Sequence, residues 1–156
     1  MAIEVGKQVP AFSRPNQRGE TVSDRSLLGQ WYVLYFYPRD DTPGCTTEAC
    51  EFSAQLDDFA QLGARVLGVS PDPAAKHQNF IEKYKLAIDL LCDEERSMLT
   101  SFEAYGEKNL YGKKTQGVLR STLLVDPAGK VAHHWKSVRA KGHAQQVHDR
   151  LKQLRG

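Results

Sequence analysis

The sequence feature that most constrains the fold is an uninterrupted aromatic and apolar run, Trp31 to Tyr37, which ends at Pro38. A run of this kind without a polar interruption predicts a β-strand that is covered on both faces. Beyond it, apolar residues recur at a helical spacing, at Ala49, Phe52, Leu56 and Phe59. The centre of this chain is therefore a buried strand that leads directly into a helix.

Two of the three cysteines lie where this strand and this helix join. Thr42 is a good N-cap and Pro43 suits the first helical position, so Cys45 falls in the first helical turn. Free backbone N–H groups and the positive end of the helix dipole favour an anion there. We therefore expect Cys45 to ionise more readily than an ordinary thiol, and the thiolate is the reactive form.

The spacing of the cysteines limits how they can pair. Cys45 shares a helix face with Phe52 and Phe59, so we expect it in a pocket and not on open surface. Cys50 lies about 140° around the helix and roughly 7.5 Å along it, which separates the two Cα atoms by roughly 8–9 Å. A disulfide needs less than about 7 Å, so the first turns of the helix must unwind if these two cysteines pair.

The remaining sequence alternates strand and helix patterns and contains one late hairpin. Short strands are predicted at 11–13 and 21–23, around a turn at 16–19. Further strands are predicted at 65–70, 88–92, 118–125 and 130–138, and an exposed loop at 105–117. Helices are predicted from 43 to about 63, after Pro71 and Pro73, from Asp93, and from about Gly142 with Val147, Leu151 and Leu154 buried. This order predicts an α/β fold with a mixed sheet and helices on both faces.

Composition excludes several classes of protein. The 156 residues suffice for one domain, 1–156, and the net charge of +2 gives no reason to expect nucleic acid. No apolar run approaches the ~20 residues of a transmembrane helix, and the N-terminus lacks a signal-peptide layout. Three cysteines cannot all pair within one chain, which favours a reducing compartment such as the cytoplasm. Zinc-site spacing, phosphate loops and flavin or nicotinamide fingerprints are absent, so we expect no metal and no organic cofactor.

The motif Pro38-x-x-x-Thr42-x-x-Cys45, with Cys50 five residues later, resembles the peroxiredoxins. The runs 35–38 and 42–45 fit the Q-type branch, also called bacterioferritin comigratory proteins. The resemblance covers nearly the whole chain. It implies a thioredoxin-like fold of the peroxiredoxin type, with a central mixed sheet flanked by helices and an N-terminal β-hairpin extension.

The same resemblance implies a reaction and its partners. The Cys45 thiolate would attack hydrogen peroxide or an alkyl hydroperoxide and become a sulfenic acid. Cys50 would then close an intramolecular disulfide as the helix unwinds locally, and thioredoxin or a similar dithiol would reopen it. A monomer without nucleic-acid or membrane partners is the expectation from the family.

Four further residues receive roles from the resemblance. Thr42 would orient the thiolate and accept a hydrogen bond from the peroxide, and Pro38 would shield the thiolate. Arg120 lies in a strand pattern, where an arginine is either on a wet sheet edge or buried against an anion; the family motif favours the second reading. Glu48, one turn after Cys45, would orient Arg120, or it is an ordinary acidic residue near a helix start.

Some alternatives stay open at this point. Cys92 ends a short apolar strand and reads as an inert buried thiol, or it resolves Cys45 in place of Cys50. A thiol–disulfide oxidoreductase on the same fold is the main rival function, although that chemistry normally uses Cys-x-x-Cys. A redox-sensing or chaperone-like module is the rival outside enzymes.

Overall fold

The computed structural model describes residues 3–110 and 112–155. Within them the N-terminal half forms β1 (Ser13–Pro15), β2 (Thr21–Ser23), β3 (Trp31–Phe36), α1 (Pro43–Ala54), α2 (Leu56–Gln61), β4 (Ala64–Ser70) and α3 (Ala74–Tyr84). The C-terminal half forms β5 (Asp89–Cys92), α4 (Ser97–Ser101), β6 (Tyr105–Leu110), β7 (Lys113–Val118), β8 (Ser121–Val125), β9 (Val131–Trp135) and α5 (His143–Arg155). The order confirms the predicted α/β alternation.

A five-stranded mixed sheet in the order β5-β4-β3-β8-β9 organises the molecule. β3 pairs in parallel with β4, which pairs in parallel with β5. On its other side β3 pairs antiparallel with β8, and β8 with β9. β1 and β2 form the expected N-terminal hairpin apart from this sheet. The central strand is therefore the aromatic run, which places the start of α1 at the middle of one sheet edge.

Side chains of the central strand alternate between two hydrophobic cores. Tyr32, Leu34 and Phe36 join the core that also holds α4 and the N-terminal segment. Val33, Tyr35 and Tyr37 join the core formed with α1, α2, α3 and α5. All six are at most 1% exposed, so the prediction of a strand covered on both faces is confirmed.

Several predicted boundaries were wrong. Residues 105–117 are not an open loop: β6 and β7 pair antiparallel from Tyr105↔Val118 onward, although residue 111 lies outside the described residues. Hydrogen bonds between two backbones do not require apolar side chains. The Gly- and Lys-rich composition of this segment therefore gave no sign of the two strands. Leu119 and Arg120 interrupt the expected strand 118–125, since β7 and β8 belong to different sheets.

The helices also differ in detail from the prediction. The expected helix 43–63 breaks at Gln55, whose ψ of 9° is not helical, and continues as α2. α4 begins at Ser97 instead of Asp93, because Asp93 lies in a turn where its side chain accepts from the Leu99 N–H. Leu154 is 37% exposed, because α5 reaches its last turn beyond the core.

Gly68 supplies a test of packing in the central sheet. A Cβ at this position would lie 2.8 Å from Tyr35 Cζ and Oη and 2.8 Å from Leu90 Cδ2, all of them in the core. We expect Gly68→Ala to lower the free energy of unfolding by about 1–3 kcal/mol through overpacking. Gly106→Ala is the matched control, since its nearest neighbour would be 3.9 Å away. Urea denaturation measures both, and equal stabilities of the two variants would contradict this packing.

Candidate active site

Cys45 lies in the first turn of α1 and is almost fully buried, with 1% of its surface exposed. Arg120 Nη2 donates to Cys45 Sγ over 3.1 Å, and Arg120 Nη1 donates to Glu48 Oε1 over 2.6 Å. The guanidinium therefore offers the sulfur a positive charge and a hydrogen bond together. The structure thus brings together three of the residues singled out in the sequence.

The link between β7 and β8 positions Arg120. The Leu119 N–H donates to the Ala104 carbonyl oxygen over 2.7 Å, and Ser121 begins the central-sheet strand β8. Gly44 provides the space: a Cβ there would lie 3.3 Å from Arg120 Nη2. Arg120 is therefore in a connection and not inside a strand, and its half-buried side chain contacts the Glu48 carboxylate and the Cys45 sulfur.

Glu48 is completely buried beside this arginine. Burial raises the pKa of Glu48 to about 7, against the opposing effect of the positive charge of Arg120. Burial also acts to lower the pKa of Arg120, but Glu48 and Cys45 outweigh it and leave that pKa above its ordinary value. Glu48 Oε2 has no hydrogen-bond partner among the described residues, so one carboxylate oxygen anchors the guanidinium while the other is unsatisfied there.

Thr42 occupies the N-cap position but does not act as the side-chain cap that the sequence predicted. Its backbone is extended, and no hydrogen bond runs from its side chain to the helix N–H groups. Instead its hydroxyl donates to the Arg39 carbonyl oxygen over 2.9 Å. This leaves the hydroxyl lone pairs free to accept. Pro38 is half-buried at the end of β3, between Tyr37 and this loop.

The three cysteines have different surroundings, and all are unpaired in this structure. Cys50 lies on the same continuous helix as Cys45 and is half-buried, and burial raises its pKa. Cys92 is buried at the end of β5, with its thiol 3.9 Å from the Asn16 carbonyl oxygen. Burial raises the pKa of Cys92 to about 11. β5 is also two strands away from β3, so these features favour an inert role for Cys92.

A buried hydrogen-bond network that includes Asp40, in the loop before Cys45, was not predicted from the sequence. His77 Nε2 donates to the Leu91 carbonyl oxygen over 2.9 Å, and His77 Nδ1 lies 2.6 Å from Asp40 Oδ2. Tyr37 Oη donates to the second oxygen of Asp40 over 2.5 Å. Nothing in the sequence identifies Asp40 as the partner of His77, because the two lie 37 residues apart. This network ties the loop before Cys45 to α3 and β5.

Asp40, Asp72 and His77 bring ligand-type atoms within 4.8 Å of one another, yet protein donors already occupy them. Asp72 Oδ2 accepts from the Asp40 backbone N–H and from the Ser70 hydroxyl, and both His77 ring nitrogens are engaged. The cluster is therefore satisfied without an ion, and its chemistry is that of a structural hydrogen-bond network.

Comparison with known proteins gives consistent matches over nearly the whole chain. The family model described as AhpC/TSA matches residues 5–134. Peroxiredoxin Bcp of Bacillus subtilis (strain 168) is 41% identical over 154 residues, covering 99% of this chain and 98% of that protein. Peroxiredoxin Bcp of Escherichia coli (strain K12) is 36% identical over 151 residues, with 97% of each chain covered.

Solved structures match as closely. Peroxiredoxin Q of Xanthomonas campestris superposes with a TM-score of 0.91 at 38% identity, covering 97% of this chain and 99% of the other. The bacterioferritin comigratory protein of the same organism, studied for alkyl peroxide reduction as trapped intermediate and ligand complexes, gives 0.91 at 38% identity, covering 98% and 100%. The thioredoxin-like fold predicted from the sequence is confirmed. Among the described residues, helices lack the length and apolarity needed to cross a bilayer.

The buried carboxyl of Glu48 predicts a pH-dependent stability. Unfolding returns its pKa from about 7 toward the ordinary 4.5, so the folded state holds the proton more tightly. The contribution of Glu48 is therefore complete below pH 4.5 and is lost as pH rises through 7. Relative to Glu48→Gln, the wild type should lose up to about 3 kcal/mol of unfolding free energy across this window.

Urea denaturation at a series of pH values measures this difference, and other titrating groups cancel between the two proteins. Glu95→Gln, which removes an exposed carboxyl, is the control and should show a constant difference. Parallel pH profiles for the wild type and Glu48→Gln would show that the carboxyl is not perturbed.

Proposed function

Because the chain belongs to the AhpC/TSA family and is a peroxiredoxin, hence a thiol peroxidase, we propose that Cys45 is the residue that attacks the peroxide. The observation that carries this assignment is the 3.1 Å contact between Arg120 Nη2 and Cys45 Sγ at a buried helix N-terminus. Cys50 and Cys92 have no cation in contact with their sulfur atoms within the described residues, and burial raises the pKa of both thiols.

The first step transfers one oxygen atom. The Cys45 thiolate attacks the terminal oxygen of R–O–O–H, the one that carries the hydrogen, so the S–O bond forms and the O–O bond breaks. The departing RO⁻ takes up a proton and leaves as an alcohol, or as water when the substrate is hydrogen peroxide. Cys45 becomes a sulfenic acid and is thereby oxidised by two electrons.

Charge moves from sulfur to the departing oxygen during this step, and we assign its stabilisation to three groups. Arg120 contacts the sulfur and is held by Glu48, so its guanidinium is already oriented before the peroxide arrives. Thr42 has lone pairs free to accept from the peroxide O–H. The unpaired N–H groups at the start of α1 supply further donors. Pro38 restricts access of water to the sulfur.

We assign the resolving role to Cys50. Its thiolate attacks the sulfenic sulfur, the S–S bond forms, and hydroxide leaves as water after protonation. Both cysteines lie within the twelve-residue helix α1, where an unbroken helix holds their Cα atoms roughly 8–9 Å apart. The first turns of α1 therefore unwind before the bond closes, and a dithiol of the thioredoxin type reopens it by exchange.

The remaining parts of the proposal concern substrates and setting. Alkyl hydroperoxides are included because alkyl peroxide reduction is described for the Xanthomonas relative. We further propose a single domain over 1–156, a monomer, a cytoplasmic location, and a reaction that needs neither a metal nor an organic cofactor. Two cores built on opposite faces of one sheet support the single domain.

Substitution of Arg120 tests the catalytic assignment. Arg120→Gln keeps a hydrogen-bond donor but removes the charge, and we expect the rate constant for sulfenic acid formation to fall about 100-fold. Stopped-flow mixing with hydrogen peroxide measures it, using trapping of the sulfenic acid as the readout. Arg139→Gln, an exposed arginine, is the control and should react like the wild type. A wild-type rate in Arg120→Gln would remove the arginine from the mechanism.

Peptide mapping after one equivalent of peroxide tests the resolving cysteine. The wild type and Cys92→Ser should both form a Cys45–Cys50 bridge, because Cys92 is buried on a distant strand. Cys50→Ser should instead accumulate the sulfenic acid at Cys45. An intramolecular bridge that persists in Cys50→Ser would transfer the role to Cys92. Indifference to peroxide with fast disulfide exchange would favour the rival oxidoreductase.

A further inference from the structure

A cleft lies beside residues 37–42, which join β3 to α1 and are called the catalytic loop below. The cleft has a volume of about 340 Å³, and Pro38 and Val118 are among the residues that line it. Pro38 is part of the catalytic loop, and Val118 precedes Arg120 by two residues. The volume falls in the range of small-molecule sites, about 300–1,000 Å³. The cleft therefore adjoins the place where a peroxide reacts and is large enough for more of a substrate than its O–O group.

Positive charge dominates this cleft. Arg39, Arg96 and Lys108 line it, and no carboxylate does in the part of the chain that the structure describes. Within the described residues, none of the three has an acidic side chain within 4.0 Å, since the salt bridges there join other residues. The acidic residue nearest in the hairpin, Glu107, is directed to Lys114 at 3.6 Å. Three unpaired cations around one concavity attract anions and concentrate them there.

Two local features hold the cations around the concavity. The Lys108 side chain crosses over Gly117, where a Cβ would lie 3.2 Å from Lys108 Cδ and 3.7 Å from Nζ. Arg96 has a φ of 63°, a left-handed conformation that is uncommon for a long side chain. Its guanidinium carbon lies 5.6 Å from the centroid of the Tyr105 ring, which also lines the cleft. Backbone strain of this kind concentrates at functional sites.

We propose that this cleft is an anion-binding subsite for organic hydroperoxides that carry a carboxylate or phosphate remote from the O–O bond. The inference rests on the proposed function. Arg39 and Arg96 present guanidinium groups, which pair with both kinds of anion in a bidentate manner. A small-molecule anion is favoured over an acidic protein surface because the charges surround a concave space that shares Pro38 with the catalytic loop.

A matched substrate pair provides the test. Oleic acid hydroperoxide and its methyl ester differ only in the charge at the far end of the molecule. The readout is the ratio of kcat/KM for the acid to that for the ester, measured below the micelle concentration. The double variant Arg96→Gln with Lys108→Gln removes two cations of the cleft. Lys152→Gln with Arg155→Gln is the control, because it removes the same two charge types from the exposed end of α5.

In the wild type and the control, we expect the acid to be preferred at low ionic strength and the preference to shrink in 0.5 M salt, by screening over ~4 Å. In the cleft variant the ratio should fall about five- to tenfold, which is the effect of losing two partly exposed ion pairs. An unchanged ratio in the cleft variant would overturn the subsite. The subsite would also be overturned if the cleft variant lost only its rate of reduction by thioredoxin. That result would assign the cleft to an acidic protein partner.

The ester separates this proposal from the one it rests on. If the wild type turns over the ester and the acid with equal kcat/KM, the result contradicts the anion subsite but not the peroxidase activity. Failure of the wild type on both substrates counts against the proposed function, and binding of sodium octanoate then decides the subsite separately. Octanoate should shift the amide resonances of Gly117 and Val118, which line the cleft in both proteins, in the wild type and leave them unmoved in the cleft variant. Unmoved resonances in the wild type would overturn the subsite without reference to catalysis.

Discussion

The contact of one guanidinium with a sulfur and a carboxylate is the interaction on which the rest of the site depends. Arg120 is held by Glu48 at 2.6 Å and reaches Cys45 at 3.1 Å. Burial makes this arrangement costly, because one oxygen of Glu48 lacks a partner and the pKa of this carboxyl rises to about 7. A protein accepts such a cost where orientation of a charge matters more than stability. The elements around the site, α1 and the β7–β8 link, hold this triad in place.

Much of this organisation was predictable from the sequence, for a physical reason. A strand that is buried on both faces must be apolar throughout, so the run Trp31–Phe36 predicts a strand at the centre of the sheet. A good N-cap residue followed by a proline likewise indicates where a helix starts, which placed Cys45 in the first turn. Local rules of this kind do not reach across the sheet. They could not show that Arg120 leaves the strand pattern, or that Asp40 meets His77.

The predictions that were wrong concern segments whose side chains say little about the backbone structure. β6 and β7 are held by backbone hydrogen bonds and are largely exposed, so no apolar alternation marks them. Thr42 has the right backbone for an N-cap, yet its hydroxyl bonds to Arg39 instead of the helix. A Ser or Thr hydroxyl can bond to more than one nearby backbone group, and at Thr42 the tertiary structure decided between them.

The Asp40–His77 network fixes the loop before α1, which leads directly into a helix that has to open. His77 and Tyr37 hold Asp40 from two sides, whereas Cys45 and Cys50 share a helix that must open for them to pair. A bridge between them would then exist only at the expense of helical hydrogen bonds. The folded helix would oppose formation of the disulfide. Refolding of the helix would in turn favour reduction of the disulfide to the two free thiols. Such a bond is a stronger oxidant than one that fits the folded chain, and an external reductant would break it readily.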